Sequence, residues 1–217
     1  MTATPPLATT SSVCNSVSTE ATSSLVFRPS NIVDRFRWEE IFQKAQPIEV
    51  ELGSGDGSFL AKWAEQNPTI NFLGVERLFG RLKKLDRKGQ RLRLTNLRLL
   101  RFEAAYLLQY LLPARSIRAL HVYFPDPWPK RRHQDRRLIN EAFTRQAQAL
   151  LELGGCVWLR TDDEDYFRQM TEVFAAASDR FESIEASESM IQITTDFERE
   201  FNARGIPTRR AGYRVRS

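Results

Sequence analysis

The chain has little of what metal centres and disulfide frameworks are made from. Its 217 residues include two cysteines and two histidines. Cys14 lies in a Ser/Thr-rich stretch and Cys156 in an apolar run that reads as a buried strand, so no disulfide is expected between them. No ligand spacing joins these residues to His121 or His133, which leaves almost no raw material for a zinc site or a Cys/His nucleophile system. The expectation is no metal and a reducing, cytoplasmic setting. Long hydrophobic runs are also missing. The longest, Leu107 to Leu112, is interrupted by Gln109 and Tyr110 and falls far short of the ~20 residues a membrane helix needs. No membrane role is expected. Monomer and homodimer are equally compatible with the sequence.

Residues 1–24 contain twelve Ser/Thr and no Lys or Arg. Such a segment cannot bury enough apolar surface to offset its chain entropy and is read as a disordered tail. It has neither the basic start and apolar centre of a signal peptide nor the arginines of a transit peptide. Residues 25–217, in a chain that is 41% hydrophobic, suffice for one domain with a sizeable core.

The net charge of +5 is less informative than its distribution. Ten Lys/Arg lie between Arg77 and Arg101 against the single acid Asp86. A second cluster is Lys130, Arg131, Arg132, Arg136 and Arg137, and a third is Arg204, Arg209, Arg210, Arg214 and Arg216. Each can be a solvated face; three flanking one candidate site favour a polyanion such as RNA.

From Pro47 onward, short β-type runs alternate with helical patterns. Strands are predicted at Ile48–Leu52, Ile70–Glu76, Leu97–Arg101, Ile117–Phe124 and Cys156–Arg160, with closing strands at Phe181–Ala186 and Gly212–Val215. Helices are predicted at Ser58–Gln66, Leu78–Lys88 (closed by Gly89 as a C-terminal cap), Ala104–Leu112, Arg137–Leu151 and Asp163–Ala177. The alternation predicts an α/β fold with a mainly parallel seven-stranded sheet and helices on both faces. Ligands in such sheets bind beyond the carboxyl ends of the central strands.

Two motifs fall there. In Glu51-Leu52-Gly53-Ser54-Gly55-Asp56-Gly57, glycines after the first strand allow close backbone approach to a ligand. Glu76, ending the second strand, stands where a βαβ nucleoside site places the acid for a ribose diol. The G-x-G-x-G spacing departs from the dinucleotide pattern, since Ser58 replaces its last glycine. Glu51 and Asp56 would repel a pyrophosphate but suit the cationic end of S-adenosylmethionine. A purely structural glycine turn is the alternative. In Tyr123-Phe124-Pro125-Asp126-Pro127-Trp128-Pro129-Lys130, three prolines stiffen the loop around one carboxylate. Asp126 can accept from N1–H and N2–H₂ of a guanine, turning N7 towards a methyl donor. A rigid turn with a solvated Asp is the alternative. Farther on, Thr161 or Asp162 is placed to cap the following helix, and Asp162 can also face a substrate. Thr195 and Glu198 form a T-x-x-E capping box.

Together these motifs resemble the bacterial tRNA (guanine-N7-)-methyltransferase family, whose fold is the Rossmann-like class I S-adenosylmethionine-dependent one. The resemblance runs from about Pro47 to Phe201. It rests on E-L-G-S-G-D-G-S-F at 51–59, Gly74-Val75-Glu76, Phe124 to Lys130, Thr161-Asp162 and Thr195 to Glu198. It implies cofactor contacts from Glu51, Gly53, Gly55, Glu76 and Asp126, with Glu103 in the adenine position. It implies Asp126 as the catalytic residue and substrate contacts from Lys130, Asp162, Thr195, Asp196, Phe197 and Glu198. The expected target is the guanosine at about position 46 of the tRNA variable loop. Two departures are Glu103 where the family has Asp, and Gln192 where it often has Arg. An exocyclic-amine methyltransferase is the nearest rival, but Asp126-Pro127-Trp128 lacks the second consecutive proline of [DN]-P-P-aromatic. A non-catalytic RNA-binding module is the other, against which the intact acids and glycines argue.

Overall fold

The computed structural model describes Met1 and residues 24–216; the tail expected to be disordered lies almost wholly outside the described residues. Eight strands form one sheet in the order β1-β4-β3-β2-β5-β6-β8-β7. They are β1 (Val26–Phe27), β2 (Ile48–Leu52), β3 (Asn71–Val75), β4 (Leu97–Leu100), β5 (Ile117–Tyr123), β6 (Leu151–Thr161), β7 (Phe181–Ile184) and β8 (Arg209–Val215). All pairings are parallel except those of β8 with β6 and β7. The seven expected strands are thus joined by an eighth. Val26 and Phe27 pair with Leu99 and Leu100 at the sheet edge. A two-residue strand carries no readable alternation; it is fixed by Asp86, whose carboxylate accepts from the Leu25 amide (2.8 Å) and the Ser24 hydroxyl (3.0 Å).

β2 and β3 are buried at every position, as a central parallel strand covered on both faces must be. One core, around Val50, Leu73, Leu120, Phe143 and Phe174, lies under α5 (Glu141–Leu150) and α6 (Glu164–Ala175). The other, around Phe59, Leu60, Phe72 and Leu85, lies under α2 (Leu60–Gln66) and α3 (Phe79–Arg91). After β2 the chain winds outward through β3 and β4, then returns to lay β5 on the other side of β2. Leu52 therefore stands opposite Val122, and the loops that follow β2 and β5 leave from adjacent strand ends.

Several expected boundaries move, each for a local reason. Gly89 does not end α3, which runs on to Arg91. It is a packing glycine: a Cβ there would come within 2.5 Å of Leu25 Cδ1. The helix foreseen from Arg137 starts only at Glu141, because the Asn140 side chain accepts from Phe143 N and caps it. Residues Arg131–Arg136 form a separate 3₁₀ turn. The segment after β4 begins as the short helix α4 (Ala104–Tyr106) and continues as a π-helical turn over Leu107–Leu111. Neither Thr161 nor Asp162 caps α6. Asp163 does, accepting from Tyr166 N at 2.7 Å, while the Thr161 hydroxyl accepts from Asp163 N.

Candidate active site

The glycine loop after β2 uses its three glycines in different ways. Gly53, Gly55 and Gly57 all have positive φ, at 77°, 56° and 74°. At Gly57 a Cβ would fall 2.0 Å from Leu85 Cδ1, so this glycine lets α3 close on the loop. A Cβ on Gly53 would meet nothing, and one on Gly55 only the Gly53 carbonyl at 4.0 Å. Those two present bare backbone to open space, where a ligand can lie against it. Glu76, at the end of β3, fixes the loop from the side: one oxygen accepts from Gly55 N (3.0 Å) and the other from Leu78 N (2.7 Å). Each retains acceptor capacity.

Glu51 is the anomaly of the site. It is 3% exposed, and its Oε2 has no hydrogen-bond partner. Burial, only partly offset by the Arg160 charge and reinforced by Asp56 and Glu76, pushes its carboxyl up to about 8. Asp56 differs: against the effect of burial, the ammonium of Lys88 at 3.3 Å holds it below the ordinary carboxylate range. An orphaned acid beside two others and bare glycine backbone is a site for a cationic ligand.

The loop after β5 is strained and tightly braced. Phe124 and Trp128 have φ of 51° and 41°, conformations that non-glycine residues hold only when their surroundings enforce them. The brace is Arg137, which is 2% exposed. Its guanidinium donates to the Pro127 carbonyl (2.7 Å), Asp165 (2.8 Å) and Gln169 (2.7 Å) and lies over the Tyr166 ring. Arg136 covers Trp128 at 5.1 Å. On this frame Asp126 is exposed, and its carboxylate makes no hydrogen bond among the described residues. Lys130 is likewise exposed.

The third wall is the segment before and within α8 (Asp196–Ala203). Its capping box is present: Thr195 Oγ1 accepts from Glu198 N, and Glu198 reaches back to Thr195 N. Asp196 N donates to the Ser58 hydroxyl (2.9 Å), which ties the segment to the glycine loop. Phe197 and Phe201 pack on Phe124 at 6.3 and 6.0 Å, which ties it to the loop after β5. The three motifs, far apart in sequence, thus meet at one end of the sheet.

The expected residues are deployed unequally. The carboxylate of Asp162, at the end of β6, makes no hydrogen bond among the described residues; only its carbonyl is engaged, by Arg209. Phe197 is 39% exposed, and the Asp196 carboxylate pairs with Arg199. Glu103 turns both oxygens to its own helix, accepting from Ala105 N (3.0 Å) and Tyr106 N (2.8 Å). Glu198 is fully buried and holds Arg160 (3.0 Å) and Arg210. Of the two departures, Gln192 donates to Glu188 on the exposed face of α7 (Glu188–Gln192).

Sequence reasoning missed Arg160. It is 2% exposed and donates to the carbonyls of Met190 (2.6 Å) and Ile193 (2.7 Å) as well as to Glu198. Its guanidinium lies 4.4 Å from the Tyr123 ring centroid, and its charge is felt by Glu51. One cation therefore links the glycine-loop acid to the segment carrying Thr195. Behind it, His121 bridges Glu49 (2.9 Å) and Tyr123 (2.9 Å), and Trp63 Nε1 donates to the same Glu49 oxygen. Despite its burial, Glu49 is held below the ordinary carboxylate range, mainly by His121. The available signal was three polar residues, Glu49, His121 and Arg160, at interior positions of the central strands β2, β5 and β6.

The basic clusters also separate. All five arginines of the third make ion pairs, Arg204 with Glu200, Arg209 with Glu164, Arg210 with Glu198, and Arg214 and Arg216 with Glu182. Of the ten between Arg77 and Arg101, only Lys88 does so among the described residues. The first cluster and Lys130 to Arg132 therefore present unneutralised charge, and the third does not. Among the described residues no group of His, Cys, Asp and Glu is arranged to hold a metal, and no helix is long and apolar enough to cross a membrane.

Comparison with known proteins agrees with this geometry. A family model described as a putative methyltransferase matches residues 45–211. Among curated proteins, the tRNA (guanine-N(7)-)-methyltransferase of Listeria innocua is 34% identical over 175 residues, 79% of this chain and 81% of that one. That of Geobacter metallireducens is 34% identical over 68% of this chain and 70% of its own. The Thermotoga maritima protein of the same name is 33% identical over 79% of this chain, which spans only 55% of that longer relative. Among solved structures, the 16S rRNA methyltransferase KamB superposes with a TM-score of 0.60 at 15% identity, covering 83% of this chain and 93% of that one. An rRNA methylase from Streptococcus thermophilus gives 0.54 at 15%, covering 79% and 88%. These structural likenesses bear on the fold alone, which is the Rossmann-like class I methyltransferase fold. With the family model covering three quarters of its length and relatives a third identical, the chain belongs to the tRNA (guanine-N(7)-)-methyltransferase family.

Proposed function

We propose that the protein transfers a methyl group from S-adenosylmethionine to N7 of a guanine in the variable loop of tRNA, at about position 46. The observation that carries the reading is Glu51, a buried carboxylate with an unanswered oxygen beside glycine backbone that nothing covers. This donor set fits S-adenosylmethionine, which carries two positive centres and a ribose diol. In this reading Glu51 faces the cationic end, Gly53 and Gly55 lie against the methionine part, Glu76 takes the ribose hydroxyls, and Glu103 stands near the adenine. Bound there, the cofactor supplies a methyl group on a sulfonium, which leaves as a neutral thioether.

The chain's own residues then orient the acceptor. Asp126, held by a proline-stiffened loop that Arg137 braces, accepts from N1–H and N2–H₂ of the guanine. That leaves the N7 lone pair turned to the methyl carbon. N7 carries a free lone pair, so the chain would need no general base to remove a proton when the methyl group is accepted. The ring becomes cationic, and the Asp126 carboxylate stabilises the developing charge. Lys130 contacts a backbone phosphate, while Asp162, Thr195, Asp196 and Phe197 line the approach of the RNA. Glu198 contributes from behind by holding this segment to Arg160. A cytoplasmic location accords with a tRNA substrate.

The test is transfer of labelled methyl to an unmodified tRNA transcript, followed by chemical cleavage at N7-methylguanine. Cleavage in the variable loop is expected. Label on an exocyclic amine of adenine or cytosine would replace the reading with the rival methyltransferase, and no transfer to any RNA would end it.

A further inference from the structure

The first basic cluster meets the candidate site at Arg81. On α3, Arg81, Leu85 and Lys88 share one face at i, i+4 and i+7. The latter two fix where that face lies: Leu85 fills the space that a side chain at Gly57 would need, and Lys88 pairs with Asp56. α3 therefore runs along the glycine loop, with Arg81 in its first turn. The Arg81 guanidinium lies over the ring of Phe197, on the third wall, at 5.3 Å from its centroid. Phe197 in turn packs on Phe124, two residues before Asp126. One line of contacts thus runs from α3 to the loop that carries Asp126.

Arg81 is exposed, and among the described residues its guanidinium makes no ion pair and no hydrogen bond. The acids of the segments it joins are committed elsewhere, Asp56 to Lys88 and Asp196 to Arg199. The helix does not call for it either, since a cation in the first turn opposes the dipole and no acid in that turn offsets it. Stacked on a ring, a guanidinium keeps its N–H groups free at the edge, a planar fork that fits two phosphate oxygens. A base turned out of its strand has a backbone phosphate on either side. Lys130, four residues past Asp126, comes to the pocket from the β5 side; Arg81 comes from the β3 side, with β2 between them. We propose that Arg81, seated on Phe197, binds the RNA phosphate on the side of the target guanosine opposite to Lys130. The methyl donor's carboxylate is the other oxyanion at hand, but in the reading above it belongs with the methionine part against Gly53 and Gly55, whereas Arg81 and Phe197 both lie on the outer surface. The proposal rests on the RNA reading above and adds the second point at which the backbone around the target base is held.

The experiment uses the full chain and the single variants Arg81→Met, Arg81→Lys and Arg91→Met, the last removing an exposed charge from the far end of the same helix. Affinity for an unmodified tRNA transcript is measured by fluorescence anisotropy at several salt concentrations, and affinity for S-adenosylmethionine by calorimetry. Arg81→Met is expected to bind tRNA ~10-fold more weakly, with the slope of log affinity against log salt reduced by ~1, because one phosphate contact is lost. Arg81→Lys is expected to keep the slope but recover only part of the affinity, having the charge without the fork. Arg91→Met should stay within about twofold of wild type, since a distant surface charge is screened. All three should bind S-adenosylmethionine and unfold as wild type does. Binding of tRNA by Arg81→Met within about twofold of wild type would overturn the proposal. So would an equal loss in Arg91→Met, which would make the effect one of diffuse charge. A loss of S-adenosylmethionine affinity with tRNA affinity intact would also overturn it, giving Arg81 to the donor's carboxylate. Failure of the wild-type protein to bind tRNA would instead strike the functional reading itself, and this proposal with it.

Discussion

Glu51 costs the empty protein stability, and the amount can be worked out. Its carboxyl sits at about 8 in the folded chain against an ordinary 4.5, because it is fully buried. A group whose folded value is raised contributes its full stability below the unfolded value and loses it as pH rises towards the folded one. Between pH 4.5 and pH 7 the fold therefore gives up ~3 kcal/mol at this residue, at 1.36 kcal/mol per unit. Glu51→Gln keeps the shape and removes the titration. Allowing about 1 kcal/mol for a poorly partnered amide, the variant should gain ~2 kcal/mol at pH 7, raising Tm by roughly 4–8 °C. Thermal unfolding of both proteins without ligand, between pH 5 and 8, is the assay. The gap should widen as pH rises and nearly vanish at pH 5. A variant no more stable than wild type at pH 7, or a gap independent of pH, would refute the reasoning. The same residue governs ligand affinity with the opposite consequence. If the ammonium of S-adenosylmethionine binds against the ionised form, affinity for wild type should pass through a maximum near pH 8, ~3-fold above pH 7, and fall again by pH 9 as the ligand's own α-ammonium is lost, a profile absent in Glu51→Gln, which should bind poorly throughout.

Asp126→Ala should nearly abolish methyl transfer while leaving Tm and the circular dichroism spectrum unchanged, because the carboxylate is exposed and supports nothing in the fold. Lys130→Ala should weaken tRNA binding and reduce the salt slope by ~1 with little effect on turnover at saturating RNA. Arg160→Met leaves Glu198 buried against Arg210 alone and two carbonyls unanswered, so Tm should fall by an amount on the order of 3 kcal/mol of stability; Arg160→Lys should restore most of the stability but raise KM for tRNA more than KM for the methyl donor. Gly57→Ala should unfold the loop region or block expression, since its Cβ would collide with Leu85, whereas Gly53→Ala should cost only its strained φ of 77°, on the order of 1 kcal/mol, and act chiefly on cofactor affinity.

The strands and the two loops at the centre of the sheet were legible because short β-type runs alternate with helical patterns, and because glycine and proline mark where such runs end; the order of the strands was not, since it is set by pairing between distant segments. Helix boundaries were less legible where tertiary contacts override the local signal. Gly89 carries the sequence mark of a helix terminus, yet Leu25 packs into the space its missing side chain leaves, and the helix continues. Arg137 reads as the first residue of a long helix, yet it stands in extended backbone with its side chain held by the Pro127 carbonyl and by Asp165, Tyr166 and Gln169 of α6. The T-x-x-E box was read correctly as a cap, since capping is a local geometry. Its second role could not be read, because Glu198 is partnered by Arg160, which lies on β6, 38 positions away.

That partnership bears on how the site came to be charged as it is. The acids Glu51, Asp56 and Glu76 gather at the glycine loop, while the free cations gather on α3 and after Pro129. Opposite charges gathered at one end of the sheet would normally pair; among the described residues only Lys88 and Asp56 of these groups do so. Glu51 remains unanswered because Arg160, the cation nearest to it in effect, is committed to Glu198 and two backbone carbonyls. Moving Arg160 towards Glu51 would release the segment that carries Thr195 and Phe197. The orphaned acid and the ordered third wall are thus two results of one allocation. It follows that stabilising the empty protein by relieving Glu51 and loosening its hold on RNA by freeing Arg160 are separable. At pH 7 the double variant Glu51→Gln/Arg160→Met should therefore regain about 2 kcal/mol of the stability lost in Arg160→Met but none of the tRNA affinity. Recovery of both would show that the two residues act as a single ion pair instead.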